Sequence, residues 1–545
     1  MPENKPRHPK GLPILFLTEM WERFGYYLML GILLLYLKDP KGGFGYDNKE
    51  ASDIVGTYLG LVYLTPFVGG LLADKVLGYR KSIIIGGMLL SAGYFCLAIP
   101  NQEIFWIAIL LLVVGNGFFK PNISTLLGNL YNTEHNKALK DDGYNIFYMS
   151  INVGAFVCNF VAAYMRNAYG WGYAFAAAGI GMLIGVLVFM SGNKHIRSAD
   201  TMKPANPEDM PVSKVMWFVM IPMLIFGIAG WFIPGDIFGS DSTDAFIVAC
   251  IPVIGFYIHL LVKSNKADKS RIAALLSIFA VVIVFWAVFK QNASALTNYA
   301  ETYTDRQISP STANYLKPFG MVQEISTQPE LFPRYDSYFR PMKDPLGETE
   351  KVLTPNPYFQ NLKKENWPAD NQSVQLISTE IFQSVNPLFI ILFTPLVISL
   401  FSFLRRKKKE PSTPGKIAWG LLITGISTAV MAFAIYSTDI TQDKSSAWWL
   451  ITSYAVITIG ELFLSPIGLS LVSKVAPARL TSLLMGGWFL ATAIGNKLSG
   501  VLSSLWDNYD HKANFFWVNF AACLVAAAAI FAMLKWLRGI IQQHT

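Results

Sequence analysis

An all-α membrane protein with fourteen spanning helices is the fold this sequence predicts, and three observations predict it. Of 545 residues, 53% are hydrophobic and only 15% are charged, against about 25% charged in soluble domains. Apolar runs of about 20 residues, the length that crosses a hydrocarbon core about 30 Å thick, recur from one end of the chain to the other. The basic residues gather in short loops between those runs, so the net charge of +8 reads as a topology signal rather than a nucleic-acid surface.

The spans follow in order. The first, 14–37, is apolar except for Glu19, Glu22 and Arg23. Spans 53–73 and 81–99 flank a basic loop holding Lys75, Arg80 and Lys81. Span 103–130 is broken by Lys120 and Pro121, and spans 144–166 and 172–191 complete a first block of six. The polar, Pro-containing stretch 192–213 reads as a cytoplasmic linker. Spans 214–233 and 244–263 carry almost no charge and are expected to form a peripheral hairpin with no transport role. A second block of six begins with 271–290 and continues with 377–404, 415–437, 447–472, 480–505 and 512–537. Between its first two spans lies 291–376, rich in Pro, Tyr, Asn and charge, whose many aromatics favour packed structure outside the membrane.

The predicted organisation is therefore an N-terminal bundle over 1–191, a linker with an inserted hairpin over 192–270, and a C-terminal bundle over 271–545 that includes 291–376. An even number of spans puts both termini on one side. Lys5, Arg7, Lys10, the RRKKK run at 405–409 and the basic residues around 263–271 make that side cytoplasmic. The N-terminus shows no cleavable signal pattern. The four cysteines all fall in apolar runs without CxxC spacing, which predicts neither a disulfide framework nor a metal site. No phosphate-binding GxxxxGK[ST] loop, HExxH or other catalytic constellation occurs, so the chain does not read as an ATPase or an enzyme, and no cofactor is expected.

Charge inside a span costs roughly 2.5–3.5 kcal/mol at a helix centre, so such residues face a cavity and one another. Here they are Glu19, Glu22, Arg23, Lys120, Lys290, Glu461 and Lys497, with Glu380 taken as interfacial. Glu19, Glu22, Arg23, Tyr26 and Tyr27 lie three or four residues apart and form one polar stripe on the first helix. Two acids beside one base leave a carboxylate free to change protonation. Lys120 sits before a helix-kinking proline. Asn152 and Asn386 place one amide in each block, and Glu461 is an acid well inside its span. Positive groups in the first block and a negative one in the second suit a substrate with a carboxylate at one end and an ammonium at the other. A zwitterionic peptide has that pattern, with Trp488 and the tyrosines to meet its side chains.

At this point EMWERFGYY, GGLLADKVLGYRK (with Asp74 as its acid), GFFKPNIS, FYMSINVGAF, NPLFIILFTP, GELFLSPIGLS and MGGWFLATAIGNKLSG, in that order, resemble the proton-dependent oligopeptide transporter family of the major facilitator superfamily. The resemblance implies a twelve-helix core of two bundles that rock around a central site, plus the inserted pair. It implies that Arg23, Tyr26, Tyr27 and Lys120 meet a peptide carboxylate. Asn152, Asn386 and Glu461 would hold its amine, Tyr63 and Trp488 would line the pocket, and Glu19 and Glu22 would couple protons. Two positions depart from the family pattern. Leu30 stands where a gate arginine is usual and Lys290 where a gate acid is usual, which implies that this gate contact has been replaced. Gly56 stands where eukaryotic members have a histidine, leaving the carboxylates to carry the proton.

The expected partners are di- and tripeptides, protons and the lipid bilayer of a bacterial inner membrane, with no nucleic acid and a monomeric state. The alternatives are the same fold carrying nitrate, an amino acid or a drug, and a peptide receptor that does not transport.

Overall fold

The computed structural model describes residues 8–132, 139–201, 214, 216–235, 237–345, 349–369, 372–477 and 480–544; within these, the side chains of 67, 68, 71, 74, 75, 141, 267, 465–467, 469, 470, 473, 481 and 482 are not described. Asp74, Lys75 and the Ser465–Pro466 side chains are among them, and Lys5, Arg7 and residues 202–213 of the linker stretch lie outside the described residues.

All fourteen predicted spans are helices. The first block comprises α1 (Leu12–Lys38), α2 (Asn48–Leu72), α3 (Tyr79–Leu97), α4 (Gln102–Leu130), α5 (Lys140–Tyr169) and α6 (Trp171–Ser191). The inserted pair is α7 (Ile221–Trp231) and α8 (Asp241–Lys263). The second block comprises α9 (Lys266–Phe289), α10 (Val385–Arg406), α11 (Thr413–Tyr436), α12 (Ala447–Val475), α13 (Thr481–Ser504) and α14 (Lys512–His544).

Local chemistry sets many of the starts. The side chains of Asp47, Asn101, Ser240 and Asn265 accept from backbone N–H groups at the openings of α2, α4, α8 and α9, satisfying donors that a helix leaves free. Two boundaries differ from the hydropathy pattern. α7 is preceded by a π-turn, Met216–Met220, because Pro222 lacks the N–H that would continue a regular register. α10 starts at Val385, after a 3₁₀ turn over Thr379–Ser384.

Two hydrophobic cores form. One is built by α1–α6. The other is built by α9–α14 and also buries Val219, Phe246, Cys250, Val253 and Tyr257 from the inserted pair. The blocks meet where α2 packs on α13 and α5 on α10. Tyr63 packs against both cores, which places it at the seam. The inserted pair is peripheral in one respect, with Trp217, Leu224, Ile225, Ile251 and Ile258 exposed. Its inner face nonetheless seats on α2 and α13.

The segment between α9 and α10 is folded and departs from an all-helical description. It holds short helices Ala295–Thr302 and Pro310–Leu316. Strand Val322–Ser326 pairs antiparallel with Ser373–Ile377, and Glu330–Pro333 pairs antiparallel with Lys351–Thr354. Ile325, Tyr358, Phe359, Leu362 and Leu376 form its own small core. Thr304–Asp305 pairs in parallel with Ser445–Ser446 in the loop before α12, tying the segment to the second block. The loop after α2 is pinned by the linker. Gly78, with φ +77°, leaves room for Asp200, whose carboxylate accepts from the backbone N–H of Tyr79 at 2.9 Å and Arg80 at 3.3 Å.

Candidate functional site

The polar stripe on α1 folds inward. Arg23 Nε donates to Glu22 and lies 3.1 Å from Glu19 Oε1, with all three side chains buried. Gly154 of α5 packs against the α1 backbone at Met20 and Phe24 and against the Arg23 side chain. Arg23 also stands 5.1 Å from the Tyr26 ring, and Tyr26 packs on Tyr27 and Tyr58. Glu19 Oε2, Glu22 Oε1 and Arg23 Nη2 have no hydrogen-bond partner among the described residues.

Tyr63 joins this cluster to two further cations. Lys120 Nζ lies 3.7 Å from its ring centroid and Lys290 Nζ 5.9 Å. Such cation–π contacts are worth about 2 kcal/mol when desolvated. Lys290 is 5% exposed and also faces the rings of Trp286 and Phe289. Among the described residues, neither lysine makes an ion pair with a carboxylate.

The second block contributes an acid. Asn386 Nδ2 donates to Glu461 Oε2 at 3.2 Å and to Thr458 Oγ1 at 2.8 Å. Lys290 lies within electrostatic range of Glu461 as well as of Tyr63, and Glu461 lies within range of Tyr27 and Tyr148 of the first block. Arg23, Tyr26, Tyr27, Tyr63, Lys120, Lys290, Asn386 and Glu461 thus face one region between the bundles.

Three expected members stand apart from direct contact with it. Asn152 donates to the Tyr148 carbonyl of its own helix at 3.1 Å. Trp488 is buried in the second core, edge-on to Phe279 at 6.1 Å. Leu30 is buried in the first core. Glu380 is not interfacial: it is fully buried, 3.1 Å from Arg166 of α5. It sits in the 3₁₀ turn Thr379–Ser384 before α10, directly after strand Ser373–Ile377 of the folded segment.

A second ion pair escaped sequence reasoning. Lys497 of α13, 1% exposed in its side chain, donates to Asp53 of α2 at 2.6 Å, to Thr57 at 2.7 Å and to Ser242 of α8 at 2.9 Å. Ser242 and Thr243 in turn donate to the Asp53 carboxylate. The first turn of the inserted pair therefore completes a contact between the two blocks. Lys497 is legible in the sequence as a charge within a span; Asp53, near the start of α2, carries no signal that sets it apart. Beside this pair Gly56 and Gly500 touch backbone to backbone. A Cβ added at Gly56 would stand 2.7 Å from the Gly500 Cα, so no histidine fits there.

Among the described residues, the direct hydrogen bonds and ion pairs joining the blocks all fall on the half of the molecule opposite the termini. They include Asp53–Lys497, Arg166–Glu380, Lys38–Asn298, Asn159–Ser384 and Asn48–Ser503. That face is closed. A cavity of about 710 Å³ lies above it, under the 304–377 segment, lined by Lys38, Asp39, Arg166, Tyr335, Trp506 and Asp507. No residue of the central cluster lines this cavity.

The chain matches the model of the POT family over residues 80–326 and 371–518. It is 32% identical to the uncharacterized transporter YclF of Bacillus subtilis, over 93% of this chain and 90% of that protein. It is 29% identical to the di-/tripeptide transporter of Lactococcus lactis subsp. lactis, over 91% of this chain and 89% of that one. Among solved structures, a peptide transporter POT in complex with alafosfalin superimposes with a TM-score of 0.75 at 28% identity, covering 99% of this chain and 98% of that one.

Proposed function

Because the chain belongs to the POT family of multi-pass membrane transporters, we propose that it is a proton-coupled symporter that imports di- and tripeptides by alternating access across a bacterial inner membrane, with both termini cytoplasmic. The observation that carries this reading is the placement of Arg23 and Lys120 on one bundle and the Asn386–Glu461 pair on the other, with Tyr63 at the seam. Arg23, Tyr26, Tyr27 and Lys120 receive the peptide carboxylate. Glu461 and Asn386, with Asn152 nearby, receive its ammonium. Tyr63 bounds the space for side chains. The Lactococcus relative, a di-/tripeptide transporter, supports the substrate class.

Glu19 and Glu22 share one arginine, so a proton on either carboxylate frees part of the Arg23 guanidinium for cargo. Loss of the proton to the inside restores the internal pairing and resets the carrier. One charge crossing 100 mV is worth about 2.3 kcal/mol, and one pH unit adds about 1.4 kcal/mol. Together they sustain a peptide gradient of several hundredfold. Leu30 and Lys290 occupy the outer-gate positions, and Asp53–Lys497 supplies the charged latch between the bundles on that side.

Uptake of labelled di- and tripeptides into proteoliposomes under an imposed proton gradient tests the reading. Uptake indifferent to the gradient rejects coupling. Binding without uptake makes the protein a receptor. Failure of any peptide to compete with nitrate, amino-acid or drug uptake assigns the fold to another cargo.

A further inference from the structure

The acids and bases of the central cluster are unevenly paired among the described residues. Arg23 is committed to Glu19 and Glu22, whereas Lys120 and Lys290 have no carboxylate of their own among the described residues. Both ammonium groups face the Tyr63 ring, and their nitrogens are separated by no more than 9.6 Å, the sum of 3.7 and 5.9 Å. Lys290 is 5% exposed and otherwise surrounded by Trp286 and Phe289. Aromatic faces offset only part of the desolvation of a buried cation. Glu461, the acid within electrostatic range of Lys290, is already hydrogen-bonded to Asn386.

Counting the six ionised groups of the cluster gives three acids (Glu19, Glu22, Glu461) and three bases (Arg23, Lys120, Lys290). A zwitterionic dipeptide adds no net charge, and a coupling proton on Glu19 or Glu22 then leaves one positive charge in excess. An acidic side chain on the cargo cancels it. We infer that the site selects peptides bearing an acidic side chain, whose second carboxylate is taken by Lys120 and Lys290 beside Tyr63. Four carbon–carbon bonds place the two carboxylates of a C-terminal glutamyl residue about 5 Å apart, which lets the first meet Arg23 while the second meets Lys120 and Lys290. This rests on the peptide reading above and adds the cargo's charge class.

Binding of a labelled neutral dipeptide to the purified full-length protein, displaced by Ala-Glu, Ala-Gln or Ala-Lys, tests it. Ala-Glu is expected to displace the label at least tenfold more effectively than its neutral isostere Ala-Gln, and Ala-Lys less effectively than either. A charge-assisted contact in a desolvated site gives at least that ratio. Lys290→Gln should bring the Ala-Glu to Ala-Gln ratio to within twofold, while Lys290→Arg should preserve it. Equal displacement by Ala-Glu and Ala-Gln in the unaltered protein overturns the inference, whether or not the variants fold. A ratio that survives Lys290→Gln also overturns it. If the protein binds no dipeptide, the peptide reading fails and this inference falls with it; a neutral dipeptide bound without acid preference sinks the inference alone.

Discussion

Asp53→Asn is expected to swing the protein toward the form open on the face opposite the termini. In the closed form Lys497 is 1% exposed, and Asp53 is its only anionic partner among the described residues. Removing one member of a buried pair costs about 3–5 kcal/mol, because the remaining ion is buried without compensation. Asparagine keeps a carbonyl acceptor, and Thr57 and Ser242 still bond the ammonium, so the low end, about 3 kcal/mol, is the better figure. Parting α2 from α13 hydrates Lys497, so the penalty falls on the closed form alone. The closed-to-open ratio should drop about a hundredfold. Lys497→Met leaves Asp53 17% exposed and still bonded by Ser242 and Thr243, and should cost about 1.5 kcal/mol. The double variant removes both charges and should return close to the original ratio, as buried pairs replaced together usually do. Spin labels at the exposed outer positions Asn101 and Asn508, in a background lacking the partly exposed Cys96, report the separation of the two blocks by dipolar spectroscopy. Unchanged distance distributions in Asp53→Asn, or a double variant at the sum of its singles, would refute the latch.

Three further outcomes follow from the same geometry. Gly56→Leu should wedge α2 from the Gly500 backbone and lengthen the same label distance, while Gly255→Ala, where an added Cβ meets nothing within 4 Å, should leave it unchanged. Glu461→Gln should weaken binding of a free-amine dipeptide by about 1.5–3 kcal/mol, roughly ten- to a hundredfold, and leave an N-acetylated dipeptide unaffected; equal losses for both ligands would remove Glu461 from the amine site. Arg166→Met strands the fully buried Glu380 and should lower thermal stability by about 3–5 kcal/mol, with Glu380→Gln in the same chain restoring much of it, whereas Arg334→Ala, in an exposed pair with Glu350, should cost less than about 1 kcal/mol.

Spanning helices were legible because the bilayer imposes length and apolarity one segment at a time. The placement of the central cations and acids was legible for a related reason: Arg23, Lys120 and Glu461 are too costly in lipid to face it. What the sequence concealed was pairing. Asp53 and Lys497 are 444 positions apart, and no local pattern links them until α2 meets α13. Glu380 looked interfacial because its span ends there, and only its buried pair with Arg166 of α5 shows otherwise. The strands over 322–377 were hidden because their register depends on partners up to 55 residues away, such as Val322 opposite Ile377. Thr458 and Tyr148 were overlooked because neither carries a formal charge.

The segment over 304–377 begins after α9 and ends before α10, both in the second block, and it is further stitched to that block through Thr304–Asp305, Asn361 and Lys363. Its ties to the first block include the Lys41–Glu330 pair, each partner half exposed, and the Asn167 amide on Gly320. In the proposed rocking motion, opening would peel it away from the loop after α1 and from α5 like a visor fixed to one jaw. Surface ion pairs of this sort weaken as counter-ions crowd in, over a Debye length of about 8 Å at 0.15 M. On that proposal, ionic strength in the surrounding fluid is a throttle on how readily the mouth gapes.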